Sequence, residues 1–288
     1  MTKPLAVIAG ATGYLGGHVA LAARRSGYRV RALARDASRV PSDACDEIFE
    51  AQATEPATLE GLFEGASVAF SSVGVRHFRR HPDIWEVDER ANLNLVEAAE
   101  RAGVERFVFV SLFDGEHIRE GLAVAEARER VVDRLRRSPM TRAVLRPTGF
   151  FNDMDEILEM ARGGRVWLIG SGEQRLNPIH GADLAAEAVA HFAGEQGEWD
   201  VGGPEVLSQR EIGALAFAAL ERPARFGHLP PGVIEAAAAL AGPFSVNART
   251  FLRMFAMLGR RDIVAPCAGT RRLAEHFRAR VQASARAA

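Results

Sequence analysis

Residues 7–17 read VIAGATGYLGG, a short apolar run followed by three glycines spaced three apart, Gly10, Gly13 and Gly16. In a strand–loop–helix unit the first glycine permits a tight turn, the second lets the backbone approach a pyrophosphate, and the third lets helix and strand pack closely. The N-terminus of the helix offers unpaired N–H groups and partial positive charge to phosphates. The stretch therefore predicts a dinucleotide-binding turn, with a purely structural turn as the alternative.

The first 150 residues alternate β-rich runs with helical segments, which is typical of a parallel sheet covered by helices. The pattern predicts strands at 5–10, 28–35, 46–53, 67–74, 105–111 and 141–147. It predicts helices at 14–26, 54–65, 85–102 and 117–137. We therefore expect an α/β protein with a Rossmann-type, doubly wound parallel sheet.

Beyond Pro147 the alternation weakens. A last strand is predicted at 197–203, and the chain is mainly helical from Pro204 onward. These patterns predict an NAD(P)-binding Rossmann core over 1–203, with a substrate-lobe insertion at about 150–180. A small, mainly helical C-terminal substrate lobe is expected over 204–288.

The composition is that of an ordinary globular protein: 288 residues, 48% hydrophobic and 25% charged, with a net charge of −1. This charge gives no basis for binding nucleic acid or an anionic membrane. No apolar run approaches the roughly 18 residues of a membrane span. The two cysteines, Cys45 and Cys267, form neither a disulfide framework nor a metal motif. We expect a cytoplasmic monomer or homodimer without a metal.

The end of the second strand bears on the choice between NAD and NADP. NAD sites place an acidic residue there for the ribose 2′-hydroxyl, whereas NADP sites place an arginine for the 2′-phosphate. The slot falls at the uncharged Ala34, followed by Arg35 and, a few residues later, Arg39. Arg35 is therefore the predicted 2′-phosphate ligand, and NADP(H) is the preferred cofactor. The adjacent Asp36 leaves NAD(H) open, and a solvated Arg35 is the structural alternative.

Four further segments carry a family resemblance. GATGYLG (10–16), NLNLVEAAERAGVERFVFVS (92–111), LRPTGFFNDM (145–154) and NPIHGADLAA (177–186) resemble the atypical short-chain dehydrogenase/reductases. The chain is most similar to the NmrA-like and divinyl-reductase-like branch of that family. DIVAPCAGTRRLAEHF (262–277) is similar to bacterial members, so a bacterial origin is expected. The resemblance is specific for fold and cofactor but not for substrate.

The resemblance implies a cofactor site along the carboxyl ends of the strands. The residues expected to contact the pyrophosphate are Gly10, Thr12, Gly13, Tyr14, Leu15 and Gly16. Gln52 and Ala53 are expected beside the adenine. Ser71, Ser72 and Val73 are expected near the ribose. Ser111, Pro147 and Thr148 are expected near the nicotinamide carboxamide. Gln52 stands where the family usually has an acidic residue.

The chain departs from the family at its catalytic pair. Typical members carry Tyr-x-x-x-Lys on the helix after the fifth strand, with the tyrosine as proton donor and the lysine on the ribose. Here Val124 and Arg128 occupy those two positions, on one helix face because they are four residues apart. Arg128 can bond ribose hydroxyls, but a guanidinium does not act as a general acid near neutrality. The alternative is that Arg128 is one of many arginines on a charged helix.

Other residues must therefore supply a proton, if one is needed. Ser111, Asp114 and His117 follow the fifth strand, and a histidine titrates in the useful range. Ser111, Arg128 and His117 are the candidate catalytic residues, with a helix cap or surface position as the alternative for His117. His77 and His81, in the loop after the fourth strand, are weaker candidates, and His180 is expected to support a turn.

The segment after the sixth strand is the predicted substrate wall. Phe150, Phe151 and Met154 offer apolar surface and Asn152 a directional polar group. Ordinary core packing is the alternative for each of them.

The combined prediction is an NADPH-dependent reductase that transfers hydride to a conjugated C=C bond or a carbonyl of a hydrophobic small molecule. Its rival is a non-catalytic NADP-binding redox sensor, regulator or assembly factor. An epimerase or dehydratase ranks last because it also normally depends on the tyrosine.

Overall fold

The computed structural model describes residues 3–76 and 78–287, with the backbone alone at residue 287. The candidate His77 lies outside the described residues. None of the helices in the described ranges is long and apolar enough to cross a membrane.

The strands are short. Seven of them lie where the sequence predicts a strand, and four, at 166–169, 175–176, 207–208 and 226–229, lie where none is predicted. The strands are β1 (Leu5–Ala9), β2 (Arg29–Ala34), β3 (Glu47–Glu50), β4 (Ala66–Ser71), β5 (Arg106–Val110), β6 (Thr141–Pro147), β7 (Val166–Ile169), β8 (Arg175–Leu176), β9 (Gly197–Val201), β10 (Leu207–Ser208) and β11 (Phe226–Leu229). Seven of them form one sheet in the order β3-β2-β1-β4-β5-β6-β9. The neighbours from β3 to β6 pair in parallel. The predicted Rossmann-type architecture is confirmed.

The helices cover the sheet and form most of the second half of the chain. They are α1 (Tyr14–Arg25), α2 (Asn92–Arg101), α3 (Gly115–Ile118), α4 (Ala123–Arg136), α5 (Asp155–Arg162), α6 (Gly181–Ala190), α7 (Gln209–Ala219), α8 (Pro231–Ala241), α9 (Val246–Leu258) and α10 (Leu273–Ala287). Short 3-10 turns lie at Ala37–Arg39, Pro56–Leu59 and Phe151–Asp153, and wider π-type turns at Trp85–Ala91.

The core of the sheet follows from helical and strand periodicity. Every residue of β1 and β5 is buried, as expected of strands covered on both faces. Apolar side chains spaced three and four apart on α2 and α4 face the sheet. They form one cluster with the β5 phenylalanines: Leu95, Val96, Ala99, Phe107, Phe109, Val131, Val132 and Leu135. Burying each large side chain of this kind contributes about 1.5–3 kcal/mol.

The described chain divides into two compact units. The first comprises residues 1–146 and 184–199 and contains most of the large sheet. The second comprises residues 147–183 and 200–288. Within the second unit, β7 pairs in parallel with β11 and β8 pairs antiparallel with β10. The chain thus leaves the first unit after β6 and returns to it at α6.

Three helix predictions need correction. The predicted helix at 54–65 is wrong, because only Pro56–Leu59 forms a turn and Gly61 and Gly65 then take positive φ angles of 79° and 70°. The predicted continuous helix at 117–137 is also wrong, because Leu122 is extended and separates α3 from α4. The helix predicted at 85–102 is π-type in its first half.

Candidate cofactor and catalytic site

The glycine turn between β1 and α1 is built so that its backbone is accessible. Gly10 has a φ of 91°, which favours glycine, and its carbonyl accepts a 2.8 Å hydrogen bond from the Gly13 N–H. A Cβ at Gly16 would collide with the Gly10 carbonyl oxygen. Gly13 precedes α1 and supplies no side-chain cap to it. These features fit a pyrophosphate held by backbone N–H groups at a helix N-terminus.

The loop after β4 lies directly against this turn. The Ser72 N–H donates to the Ala9 carbonyl at 3.2 Å, and a Cβ at Gly10 would lie 2.9 Å from the Ser72 hydroxyl oxygen. Thr12 is exposed at the tip of the turn, whereas the Leu15 side chain is buried. Leu15 therefore has only its backbone to offer a ligand, while Thr12 also presents its hydroxyl.

The end of β2 presents Arg35 and Asp36 in different ways. Arg35 is exposed, and its guanidinium has no hydrogen-bond or ion-pair partner within the described part of the chain. One Asp36 carboxylate oxygen accepts hydrogen bonds from the Ser38 hydroxyl at 2.6 Å and the Ser38 N–H at 3.0 Å. These Ser38 bonds lower the pKa of Asp36. Asp36 is thus engaged in its own turn, while Arg35 is accessible.

Gln52 and Ala53 lie in the partly buried loop after β3. The Thr58 hydroxyl bonds both the N–H and the carbonyl of Gln52, at 3.1 and 3.0 Å. The Asn94 amide donates to the Ala53 carbonyl at 2.9 Å. This loop is therefore fixed from both sides by side chains that sequence reasoning did not single out.

The end of β4 is held by a buried pair, Ser71 and Asn92. The Ser71 hydroxyl donates to the Asn92 side-chain oxygen at 2.6 Å. The Asn92 amide nitrogen donates to the carbonyls of Val73, at 3.1 Å, and Asp88, at 2.9 Å. Ser71 is fully buried, so it supports the loop carrying Ser72 and Val73 from behind.

Arg128 is fixed by an ion pair with a buried carboxylate. One of its terminal nitrogens lies 2.7 Å from Asp88 Oδ1, and the other donates to the Val110 carbonyl at 2.6 Å. The second Asp88 oxygen accepts from the Val75 N–H at 2.9 Å. Burial raises the pKa of Asp88, and the charge of Arg128 opposes that rise. Arg128 thus connects the end of β5 to the loop after β4.

Gly74 provides the space that this ion pair needs. A Cβ at Gly74 would collide with the Arg128 guanidinium and lie 2.7 Å from Asp88 Oδ1. Val124, four residues before Arg128 on α4, is 9% exposed. The helix face that carries the usual catalytic pair is therefore apolar at one position and ion-paired at the other.

Ser111 belongs to a second buried network, which begins at the end of β5. Its hydroxyl donates to Glu129 Oε1 at 2.7 Å, and Glu129 is fully buried. Arg146 donates to both Glu129 oxygens, at 3.3 and 2.8 Å, and to Glu198 at 2.8 Å. Partial burial opposes ionisation of Glu198, but hydrogen bonds from Arg136 and Arg146 outweigh it and lower its pKa to about 2.

The histidine candidates of the first unit lie at its surface. The His117 side chain is 83% exposed, and its Nδ1 lies 2.6 Å from the Asp114 carboxylate. His81 is also exposed, with Nδ1 3.2 Å from Glu86. Neither belongs to the buried networks that contain Ser111 and Arg128.

The remaining candidates begin the second unit. The Thr148 hydroxyl, next to Pro147, donates to the Asn177 carbonyl at 2.6 Å. Phe151 is 2% exposed and packs against the rings of His180 and His276, with centroids 5.6 and 5.5 Å away. Phe150, Asn152 and Met154 are half-buried. Phe151 is therefore part of the core of this unit, while its three neighbours keep some accessible surface.

Sequence reasoning missed the partners that fix these residues, namely Asp88, Glu129, Arg146 and Glu198. One signal was available. Arg146 interrupts the apolar run of β6, a strand that the alternating pattern places inside the sheet. A charge in such a strand requires a buried counter-charge, because an isolated buried ion is very costly.

Comparison with known proteins places the chain in a family. A family model described as NAD(P)H-binding matches residues 10–195, which include the glycine turn, Arg35 and every member of the two buried networks except Glu198. The chain belongs to this family. The resemblance to atypical short-chain dehydrogenase/reductases and the expected nicotinamide dinucleotide cofactor are confirmed at this level.

Individual curated relatives have low sequence identity to this chain. The chain is 29% identical over 256 residues to the chloroplastic divinyl chlorophyllide a 8-vinyl-reductase of Zea mays, covering 80% of this chain and 63% of that one. The chain spans about three fifths of the length of the curated relatives it matches.

Solved structures share the fold. The triphenylmethane reductase of Citrobacter sp. has a TM-score of 0.77 at 15% identity, covering 97% of this chain and 99% of that one. The NADPH-dependent quinone oxidoreductase of Escherichia coli, solved with NADPH, has a TM-score of 0.73 at 18% identity, covering 96% and 99%.

Proposed function

We propose that this protein is an NADPH-dependent reductase that acts on a conjugated C=C bond of a hydrophobic small molecule. The observation that carries the proposal concerns the two positions on α4 that match the family's catalytic pair. Val124 stands in the place of the usual proton donor, and Arg128 is fixed by Asp88 and the Val110 carbonyl. A carbonyl acceptor needs a proton at its oxygen as hydride adds, and neither residue supplies one. A conjugated acceptor forms a delocalised anion that can take its proton from water.

Arg35 supports NADPH over NADH. Its guanidinium has no partner among the described residues and suits a 2′-phosphate, because a planar guanidinium binds phosphate through two parallel hydrogen bonds. Asp36, the residue that keeps NAD(H) open, is already capping the turn at Ala37–Arg39. NADH is therefore expected to bind more weakly.

The cofactor-binding residues are proposed at the positions that the family resemblance implies. They are Gly10, Thr12, Gly13, Tyr14, Leu15, Gly16, Arg35, Gln52, Ala53, Ser72, Val73, Ser111, Pro147 and Thr148, with Ser71 and Arg128 supporting the loop after β4. When bound, NADPH supplies the hydride. The backbone of the glycine turn binds the phosphates, and Ser111 lies at the nicotinamide end.

Phe150, Asn152 and Met154 are proposed to contact the substrate, and Phe151 to hold them in place from the core. The name of the maize relative, an 8-vinyl-reductase, supports a C=C acceptor. His117 is left out of the proposed chemistry, because its exposed ring already has Asp114 as a partner.

The test is cofactor oxidation, followed at 340 nm, against matched pairs of an enone and its saturated ketone. We expect NADPH to be oxidised by enones, more slowly or not at all by the ketones, and NADH to be the poorer donor. Turnover of ketones without turnover of enones would overturn the proposed acceptor. Equal use of NADH would overturn the role of Arg35.

A non-catalytic NADP-binding sensor or regulator is the second candidate. The observation that favours it is that the Ser111 hydroxyl hydrogen and the Arg128 guanidinium are both engaged inside the first unit. Calorimetric titration with NADP⁺ and NADPH separates the two functions. Tight binding of both forms with equal affinity, together with no turnover of any acceptor, would establish the sensor and overturn the reductase.

A further inference from the structure

Ser111 has an orientation that is set by a neighbour. Its hydroxyl hydrogen points to Glu129 Oε1, 2.7 Å away, and no described group donates to the hydroxyl oxygen. A serine hydroxyl has one hydrogen to donate and two lone pairs to accept with. With the hydrogen engaged, only the lone pairs remain for a ligand.

Glu129 must be the acceptor in this bond. Both of its oxygens receive hydrogen bonds from Arg146, and a guanidinium only donates. The Ser111 hydroxyl is accordingly the donor in the bond to Glu129 Oε1. Arg146 is itself held by Glu198 through a 2.8 Å hydrogen bond. The direction of the Ser111 hydroxyl is therefore set by a chain of three buried or half-buried charges.

Glu129 is closely packed on the side of α3. It is fully buried, and Gly115 at the start of α3 makes room for it, because a Cβ there would lie 2.6 Å from Glu129 Oε1. Ser111 is itself only 3% exposed, and its N–H donates to the Leu145 carbonyl at 2.9 Å. Ser111 is therefore held by its backbone hydrogen bond and by Glu129, and Glu129 is held by its hydrogen-bond partners.

We propose that Glu129 is a positioning residue that makes the Ser111 hydroxyl a hydrogen-bond acceptor, so that it recognises the carboxamide NH₂ of a bound nicotinamide. This inference rests on the proposed cofactor site, in which Ser111 lies at the nicotinamide end. It follows that Ser111 does not donate a hydrogen bond to the substrate. The proton that completes the reduction then comes from another source, in keeping with a conjugated acceptor.

The test compares two cofactors that differ at one group. In 3-acetylpyridine adenine dinucleotide phosphate a methyl group replaces the carboxamide NH₂, so the analogue has no hydrogen to donate. Dissociation constants of NADP⁺ and of this analogue are measured by calorimetry. The wild-type protein is expected to prefer NADP⁺ by roughly tenfold, the size of one buried hydrogen bond.

Glu129→Gln is the decisive variant. Its amide oxygen is drawn to Arg146, which turns its NH₂ toward Ser111 and frees the serine hydrogen to point outward. The preference for NADP⁺ should then fall to about equal affinity or reverse. Glu126→Gln is the matched control, since Glu126 lies on the same helix and pairs with Arg119 and Arg130 instead. That variant should keep the wild-type preference.

Ser111→Ala is a second test, which does not depend on whether Glu129→Gln folds. It removes the acceptor and should abolish the preference. Equal binding of the two cofactors by the wild-type protein, or an unchanged preference in Ser111→Ala, overturns the inference. An equal loss in the Glu126→Gln control also overturns it. Because the readout is binding, a protein that prefers NADP⁺ as expected but reduces no acceptor refutes the proposed function alone.

Discussion

The glycine turn and the end of β5 lie on the same sheet but are built in opposite ways. At the turn, Gly10 and Gly16 let two backbone segments approach without intervening side chains, and the Arg35 guanidinium beyond β2 has no partner in the described chain. At the end of β5, Arg128 and Glu129 are charged side chains whose partners are already present. The first region carries the residues proposed to bind the cofactor phosphates. The second neutralises its own charges, so its arginine supports the fold where a lysine would be expected on the ribose.

Removing Arg128 should have the largest effect. Arg128→Ala leaves Asp88 buried without a counter-charge, and we expect a loss of about 3–5 kcal/mol in the free energy of unfolding. Urea denaturation at pH 7 measures it. Adding Asp88→Asn to this variant should recover a large part of the loss. Arg130→Ala, at a half-exposed ion pair two residues farther along α4, should cost less than about 1 kcal/mol. Similar losses at the two arginines would refute a structural role specific to Arg128.

The role proposed for Arg35 is tested through its effect on cofactor binding. Arg35→Ala should weaken NADPH binding by about 1.5–3 kcal/mol, the size of a charge-assisted hydrogen bond, and leave NADH binding unchanged. Calorimetric titration of both cofactors provides the measurement. Arg39→Ala is the control, because Arg39 lies farther from the end of β2. If Arg39→Ala alone lowers NADPH affinity, the 2′-phosphate ligand has been assigned to the wrong arginine.

Gly16→Ala tests the close approach of the backbone segments in the glycine turn. The added methyl group collides with the Gly10 carbonyl, so the turn must shift, and overpacking of this kind costs about 1–3 kcal/mol. We expect weaker NADPH binding and a lower Tm. Gly17→Ala is matched in sequence and helix, but its Cβ would lie 3.4 Å from the Ala11 carbonyl oxygen, an ordinary contact. Both variants are compared by thermal unfolding with and without NADPH, and equal behaviour would contradict the close approach at Gly16.

The smallest effect concerns the acid stability of the second network. The pKa of Glu198 falls from its ordinary value of 4.5 to about 2, so its stabilising contribution is complete above pH 4.5 and is lost as the pH falls toward 2. Allowing for partial exposure of the carboxylate, we expect about 1–2 kcal/mol. Urea unfolding between pH 7 and 2 should show a shallower pH dependence for Glu198→Gln than for the wild-type protein. Glu195→Gln, at an exposed position, should follow the wild-type curve.

The two regions also differ in how far the sequence predicts them. The glycine turn is local: spacing, the preceding strand and the following helix all lie within 22 residues of the printed sequence, at 5–26. Strand order followed from the same local alternation, and β6 at 141–147 was predicted to the residue. The failed helix at 54–65 shows the limit, because only Pro56–Leu59 forms a turn and the positive φ angles of Gly61 and Gly65 are incompatible with a continuing helix.

The end of β5 depends on contacts between distant segments. Asp88 and Arg128 are 40 residues apart in the sequence, and Arg146 and Glu198 are 52 residues apart. Helical periodicity places Glu129 among charged neighbours on α4, where an exposed face is the default interpretation. Only the packing of α4 against β5 and β6 shows that this carboxylate is buried. Burial of a paired charge is a property of the folded chain, and no short pattern encodes it.

Gly74 has a consequence for how this protein could change over evolutionary time. Two substitutions alone would not accommodate a tyrosine–lysine pair at positions 124 and 128, because Lys at position 128 would leave the Val110 carbonyl without its guanidinium donor and the space beside Gly74 unfilled. Tyr at position 124 would in turn have to enter a site where valine is 9% exposed. Each of these two substitutions is therefore expected to lower stability. The arginine is thereby entrenched, and sequences that carry it with glycine at 74 and aspartate at 88 should change at all three positions together or at none.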